Sequence, residues 1–97
     1  MNIMYKTTAV STKGRSGKVV VENSPLEFSM TAPVEMGGAP EAQKNGVNPE
    51  QLFAAGYAAC FGSALQHVIR EKKLPIPTPG VEVTVGIGKN EKDGFEL

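Results

Sequence analysis

Ninety-seven residues suit a single domain spanning 1–97, which buries roughly 60 to 68% of the surface its unfolded chain exposes, and ten basic against ten acidic side chains leave no net charge. The basic residues are scattered rather than gathered in a stripe, which excludes the usual footprint for nucleic acid or an anionic membrane. The lone cysteine, Cys60, excludes an internal disulfide, and the N-terminus lacks the pattern of a secretory signal, so the expected compartment is a reducing cytoplasm.

Ile3 to Ser11, rich in threonine and apolar residues, predicts a strand that ends at the turn signal Lys13-Gly14-Arg15-Ser16-Gly17. Lys18 to Glu22 predicts a second strand. After the turn Asn23-Ser24-Pro25, Leu26 to Met30 alternates apolar and polar as a third, half-buried strand, completing an antiparallel meander. Thr31 to Val47 carries Pro33, Gly37, Gly38, Pro40 and Gly46, which predicts an irregular connection with a short helical turn near Glu41 to Lys44. Loops of this length in a compact domain are often functional.

Asn48 supplies an N-cap, Pro49 fits the first helical position, and Gln51 completes a spacing like that of a capping box. The helix is expected to run to about Lys73, where Arg70, Lys72 and Lys73 complement the dipole and Pro75 forbids continuation. Ala54, Ala55, Gly56, Ala58, Ala59, Gly62, Ser63 and Ala64 make its first half small or apolar nearly all round, which predicts burial on several sides by closely approaching backbones. The mostly apolar run Leu52 to Leu65 is 14 residues, against the roughly 18 to 20 that span a bilayer, so no membrane segment is expected. Pro75, Pro77, Pro79 and Gly80 form a stiff linker, Val81 to Ile87 alternates as a fourth strand, Lys89 to Gly94 reads as a polar turn, and Phe95-Glu96-Leu97 opens a further strand. That strand stops in mid-element and would leave an unpaired edge, so the expectation is a longer natural protein represented in part. The fold class expected is α+β: an antiparallel N-terminal meander, a long central helix at about 49–73 and further antiparallel strands from 81.

Cys60 becomes a nucleophile only as thiolate, which needs nearby positive charge or hydrogen-bond donors and some access to solvent; otherwise a cysteine among alanines is a small buried hydrophobe. Arg15, between Gly14 and Gly17, either aims its guanidinium at a distant site or decorates a solvated hairpin tip. Glu50 in the first helical turn has a sufficient reason in the dipole alone. Phe53, Tyr57 and Phe61 follow i, i+4 and i+8 and share a stripe alongside Cys60; with Leu65 and Met36 they line an apolar pocket or simply form core. His67 lies seven residues beyond Cys60, about 10.5 Å along the axis, too far for a Cys–His dyad, and reads as a surface or interface histidine. With no CxxC, HExxH, P-loop or GxGxxG pattern, no metal or bound organic cofactor is expected.

The run Asn48-Pro49-Glu50-Gln51-Leu52-Phe53-Ala54-Ala55-Gly56-Tyr57-Ala58-Ala59-Cys60-Phe61 resembles the signature helix of the organic hydroperoxide resistance (Ohr) branch of the OsmC/Ohr family. Tyr5 with its following threonines, Gly14 to Lys18, and Val81 to Gly88 are similar to the family's opening strands and to its strand after the helix. The resemblance covers nearly the whole chain but about the first two thirds of a family member. It implies an intertwined homodimer with shared active sites and a thiol-dependent peroxidase that reduces organic hydroperoxides to alcohols in oxidative stress defence. It implies Cys60 as the peroxidatic cysteine, Arg15 as the group that holds and activates the thiolate, and Glu50 as the acid that orients Arg15. The reductant it implies is an external dithiol, dihydrolipoamide or a lipoylated protein, and the resolving cysteine of a later Val-Cys-Pro-like segment has no counterpart in this chain. The apolar lining of Phe53, Phe61 and Met36 would favour alkyl and lipid hydroperoxides.

Helix geometry adds a constraint. Glu50 and Cys60 are ten residues apart, so roughly 15 Å of rise separates them and they face different ways. If they share a site, either the acid comes from a second copy of the helix or the helix breaks between them. The rival readings are a non-catalytic fragment of this fold and a dimeric module that binds a small apolar ligand or senses redox state through Cys60.

Overall fold

The computed structural model describes residues 2–89 and 95–96. The chain divides into two compact units, Met1–Pro49 and Glu50–Leu97.

In the first unit β1 (Ala9–Thr12), β2 (Lys18–Val21) and β3 (Glu27–Ser29) form an antiparallel meander in that order, with Ala9 opposite Val21 and Val19 opposite Phe28. Val19, Val21 and Phe28 are the half-buried positions, as period-two alternation requires. The expected first strand shortens at its start, from Ile3 to Ala9. The Glu22 N–H donates to Thr8 O at 2.9 Å, and Asn23 then takes φ 58°, so β2 ends and, among the described residues, those before Thr8 have no ladder partner in this sheet. Lys18 and Glu27 pair at 3.3 Å with both side chains more than half exposed, which contributes little.

Between β1 and β2 the turn takes Lys13 to φ 59° and Gly14 to φ 51°, then one turn of 3-10 helix over Gly14–Ser16, closed by the Ser16 N–H and Oγ on Lys13 O. The connection after β3 is closed at its base: the Met30 N–H reaches Gly17 O at 2.8 Å, the Thr31 N–H reaches Val47 O and the Val47 N–H reaches Ser29 O, both at 2.9 Å. Met30, Thr31 and Asn48 are the buried residues among those described; Met30 and Thr31 belong to this closure, and Asn48 directly follows Val47. The connection holds two 3-10 turns, Val34–Met36 and Pro40–Lys44, the second where a helical turn was expected.

The second unit, from Glu50, holds all but the first residue of α1 (Pro49–Glu71), which starts where Asn48-Pro49 predicts. The helix ends two residues short of Lys73 because Lys73 takes the left-handed conformation, φ 50°. The Leu74 N–H then donates to Ile69 O at 3.0 Å and the Lys73 N–H to Arg70 O at 3.2 Å, the two bonds of a Schellman stop. A side chain in that conformation is strained where glycine is not, so Lys73→Gly is expected to stabilise the fold by about 0.5–1 kcal/mol, seen as a melting temperature a few degrees higher. A lower melting temperature would contradict this account of the helix end.

Val81 to Ile87 does not form the strand that its alternation predicts; pairing begins at β4 (Gly88–Lys89), antiparallel to β5 (Phe95–Glu96). Alternation reports which side is apolar, and that part holds: Val81, Val83, Val85 and Ile87 are half-buried while Glu82, Thr84 and Gly86 are exposed. What alternation cannot report is a hydrogen-bonding neighbour, and among the described residues Val81 to Ile87 has no ladder partner. The polar turn expected over Lys89 to Gly94 lies outside the described residues beyond Lys89.

Burial of α1 on several sides is not met among the described residues. Ala54, Ala58, Gly62, Leu65 and Ile69 make one half-buried face, with Val81 beside Gly62, whereas Phe53, Tyr57, Phe61 and Val68 on another side are 51, 52, 48 and 42% exposed. Over an 18-residue window α1 reaches mean hydropathy 1.3, so it passes as a span by length and composition only, a test that the core helix of a soluble protein passes as well.

Candidate functional site

α1 carries five of the seven candidate residues at positions set by its 3.6-residue period: Glu50, Phe53, Tyr57, Cys60 and Phe61. Cys60 is a free thiol and exposed. Beside it the aromatic stripe forms a ladder, with Phe53 and Tyr57 centroids 5.9 Å apart at 17° and Tyr57 and Phe61 6.4 Å apart at 19°. Stacked pairs of this kind contribute about 0.5–1.5 kcal/mol beyond the area they bury. Half-exposed, they are not core within this chain. Gly56, one turn before Cys60, has nothing within 4 Å of where a Cβ would stand. Glycine in mid-helix costs about 1 kcal/mol relative to alanine, and nothing among the described residues accounts for it here.

His67 engages Glu71, Nε2 to Oε1 3.8 Å, on the turn further from Cys60, in keeping with its reading as a surface histidine. Cys60 and Glu50 are not brought together along α1, which is helical without interruption from Pro49 to Glu71. A break in the helix therefore does not supply the acid.

The first unit carries the other two candidates. Arg15 sits half-buried in the 3-10 turn between β1 and β2. The turn depends on Gly17, whose Cβ would lie 1.7 Å from Thr12 O. Met36 ends the Val34–Met36 turn, half-buried, ahead of Gly37 at φ 96°. Sequence reasoning missed the group that ties this loop together, Gln43, whose Nε2 donates to Ala32 O at 2.9 Å and to Ala39 O at 3.1 Å. Its one local signal is the i, i+4 spacing to Ala39.

A family model described as OsmC-like protein matches residues 40–96, more than half of the chain and all of α1. The chain belongs to the OsmC/Ohr family. Its relatives put this OsmC/Ohr member on the organic hydroperoxide resistance branch. It is 43% identical over 99% of its length to organic hydroperoxide resistance protein-like 2 of Staphylococcus epidermidis, of which it covers 66%. It matches, with TM-score 0.87 and 46% identity over 99% of its length, the crystal structure of an organic hydroperoxide resistance protein of Vibrio cholerae with captopril bound in one of the active sites. An organic hydroperoxide resistance protein of Elizabethkingia anophelis, crystallised with thiocyanate bound, matches with TM-score 0.87 and 44% identity over 99% of this chain. The chain spans 64 and 66% of those two structures, so it corresponds to about two thirds of an Ohr protein. The family match contains Glu50, Phe53, Tyr57, Cys60 and Phe61, whereas Arg15 and Met36 fall within the wider likeness to the Ohr relatives.

Proposed function

We propose that residues 1–97 form one OsmC/Ohr-like domain of a cytoplasmic, cysteine-based peroxidase that reduces organic hydroperoxides in oxidative stress defence. The observation that carries this reading is an exposed thiol, Cys60, alongside a stacked and half-exposed aromatic ladder on a helix of the Ohr type. The Cys60 thiolate attacks one peroxide oxygen: an S–O bond forms, the O–O bond breaks, sulfur loses two electrons to the peroxide, and the departing alkoxide takes a proton to become the alcohol. Cys60 is left as sulfenic acid. Arg15 stabilises the thiolate and the charge developing on the leaving oxygen, and Glu50 orients Arg15. Phe53, Tyr57, Phe61 and Met36 take the alkyl part out of water.

The working unit is a homodimer with shared sites. Three observations support it: the uninterrupted α1 holds Glu50 and Cys60 apart, Gly56 leaves room for another backbone, and the uncovered rings would each gain about 2 kcal/mol on burial. The reductant is an external dithiol, dihydrolipoamide or a lipoylated protein, which is oxidised to its cyclic disulfide as it returns the sulfenic acid to thiol with release of water. Captopril, itself a thiol, bound in an active site of the Vibrio cholerae relative supports access for such a reagent.

One equivalent of cumene hydroperoxide is expected to convert Cys60 into a dimedone-reactive sulfenic acid with release of one equivalent of cumyl alcohol, and light scattering is expected to give twice the chain mass. A thiol inert to the peroxide sinks the peroxidase in favour of a non-catalytic module, and a reactive monomer sinks the shared site.

A further inference from the structure

The loop from Thr31 to Val47 carries a chemically reactive pair at its base, Asn45-Gly46. The side-chain amide of an asparagine is open to attack by the backbone nitrogen of the residue that follows, and a glycine there puts no Cβ in the path. The C–N bond that forms closes a five-membered succinimide, and the side-chain nitrogen leaves as ammonia with the proton that the backbone nitrogen gives up. Water then opens the ring at one carbonyl or the other. One opening gives aspartate, and the other gives isoaspartate, whose main chain runs through Cβ.

The closed loop holds this reaction off. Asn45 is exposed, so water and base reach its amide, but its ψ is −3°. About the Cα–C axis Cβ stands roughly 120° from the residue's own nitrogen, so at this ψ Cβ and the Gly46 nitrogen are also far from eclipsed, and a five-membered ring needs them nearly so. The Gly46 N–H donates to Ala42 O at 3.0 Å, which occupies the proton that the attacking nitrogen has to lose. Turning ψ of Asn45 swings Gly46 off Ala42 O, and Gly46 is closely seated: a Cβ built on it would stand 2.9 Å from Thr31 Cγ2 and 3.1 Å from Thr31 Cβ. Val47, the next residue, carries both bonds of the loop base, its N–H on Ser29 O and its O accepting the Thr31 N–H, each at 2.9 Å. The rotation that reaches the succinimide therefore has to open the base.

We propose that Asn45 is a site of spontaneous covalent modification gated by the closure of its own loop: deamidation through Gly46 proceeds only from the opened base, and the isoaspartate product keeps the base from closing again. An extra methylene in the main chain puts the Ala42 and Val47 bonds out of register with each other, and a carboxylate replaces the amide in a loop that already carries Glu41. The change is one-way and marks chains whose loop has opened. Every group involved lies in the unit Met1–Pro49, and none depends on the peroxidase reading.

The test incubates the full chain at neutral pH, folded in buffer and unfolded in urea, and follows conversion of Asn45 to aspartate and isoaspartate by peptide mapping, with Asn45→Ser as the variant that has no amide to lose. Each closing bond is worth roughly fivefold in an opening equilibrium, so the bonds at Gly46 and Val47 together are expected to make the folded chain about a hundredfold slower than the unfolded one. The isoaspartate form, separated by its added charge, is expected to exchange its Thr31 and Val47 amide hydrogens faster than the parent. Equal rates in buffer and urea overturn the gate. An Asn45 amide that survives in urea as long as the other asparagines overturns the site, and unchanged exchange in the isoaspartate form overturns the one-way opening.

Discussion

Cys60→Ser is expected to abolish sulfenic acid formation and to cut the consumption of cumene hydroperoxide, with dihydrolipoamide present, by roughly three orders of magnitude or more, the scale on which enzymes lose activity with their nucleophile. The reason is chemical. A serine hydroxyl is not ionised near neutral pH, and its oxygen has no counterpart to the two-electron oxidation that turns a thiolate into a sulfenic acid. The fold should not notice the change, because Cys60 is exposed and the replacement is nearly isosteric, so the melting temperature is expected to stay within the range of an ordinary surface substitution. That pairing of a lost reaction with an intact fold separates chemistry from structure. Equal rates for the parent chain and the variant would reject the peroxidase, and a collapsed melting curve would reject the description of Cys60 as an uncovered surface thiol.

Gly17→Ala is expected to have the largest effect on the fold, a loss of about 3 kcal/mol or more. An alanine Cβ has no rotamer in which to escape, and here it would stand 1.7 Å from Thr12 O, 2.7 Å from Thr12 C and 2.8 Å from Lys13 Cβ. The backbone must move, and Gly17 O accepts the Met30 N–H at 2.8 Å, so the displacement reaches the closure where Met30 and Thr31 are buried. It also reaches Arg15, two residues away in the same turn, so with Arg15 in the role proposed for it the hydroperoxide reaction should fall along with stability. Gly14→Ala is the control. Gly14 sits at φ 51° with nothing within 4 Å of a Cβ, so alanine there meets only the left-handed penalty of about 1–2 kcal/mol. Thermal denaturation of the two variants checks the account; a Gly14→Ala protein as damaged as Gly17→Ala would contradict it.

The candidate site was legible where its residues lie on one regular element. Phe53, Tyr57 and Phe61 are spaced by four, and that spacing alone stacks them on one side of α1 near Cys60. The same period shows why Glu50 and Cys60 do not meet along it. Gln43 was not legible, because its partner Ala32 is eleven residues away across an irregular loop and no period connects them. Gly17 and Gly38 were readable as turn glycines, but the carbonyls of Thr12 and Ala32 that forbid a side chain there lie on the segment entering each turn, and only the folded turn brings them back against the glycine.

By itself the sequence determined the order of the meander, the start of α1 at Pro49 and membership of the OsmC/Ohr family, since each is written in neighbouring residues: alternation, a cap with proline, and the contiguous run Asn48 to Phe61. Only the tertiary structure decided where pairing begins at Ala9 and Gly88, where α1 stops, and which of its faces stays uncovered. Those outcomes depend on which backbone groups and apolar surfaces find a partner elsewhere in the chain, and a local pattern of residues carries no record of that partner.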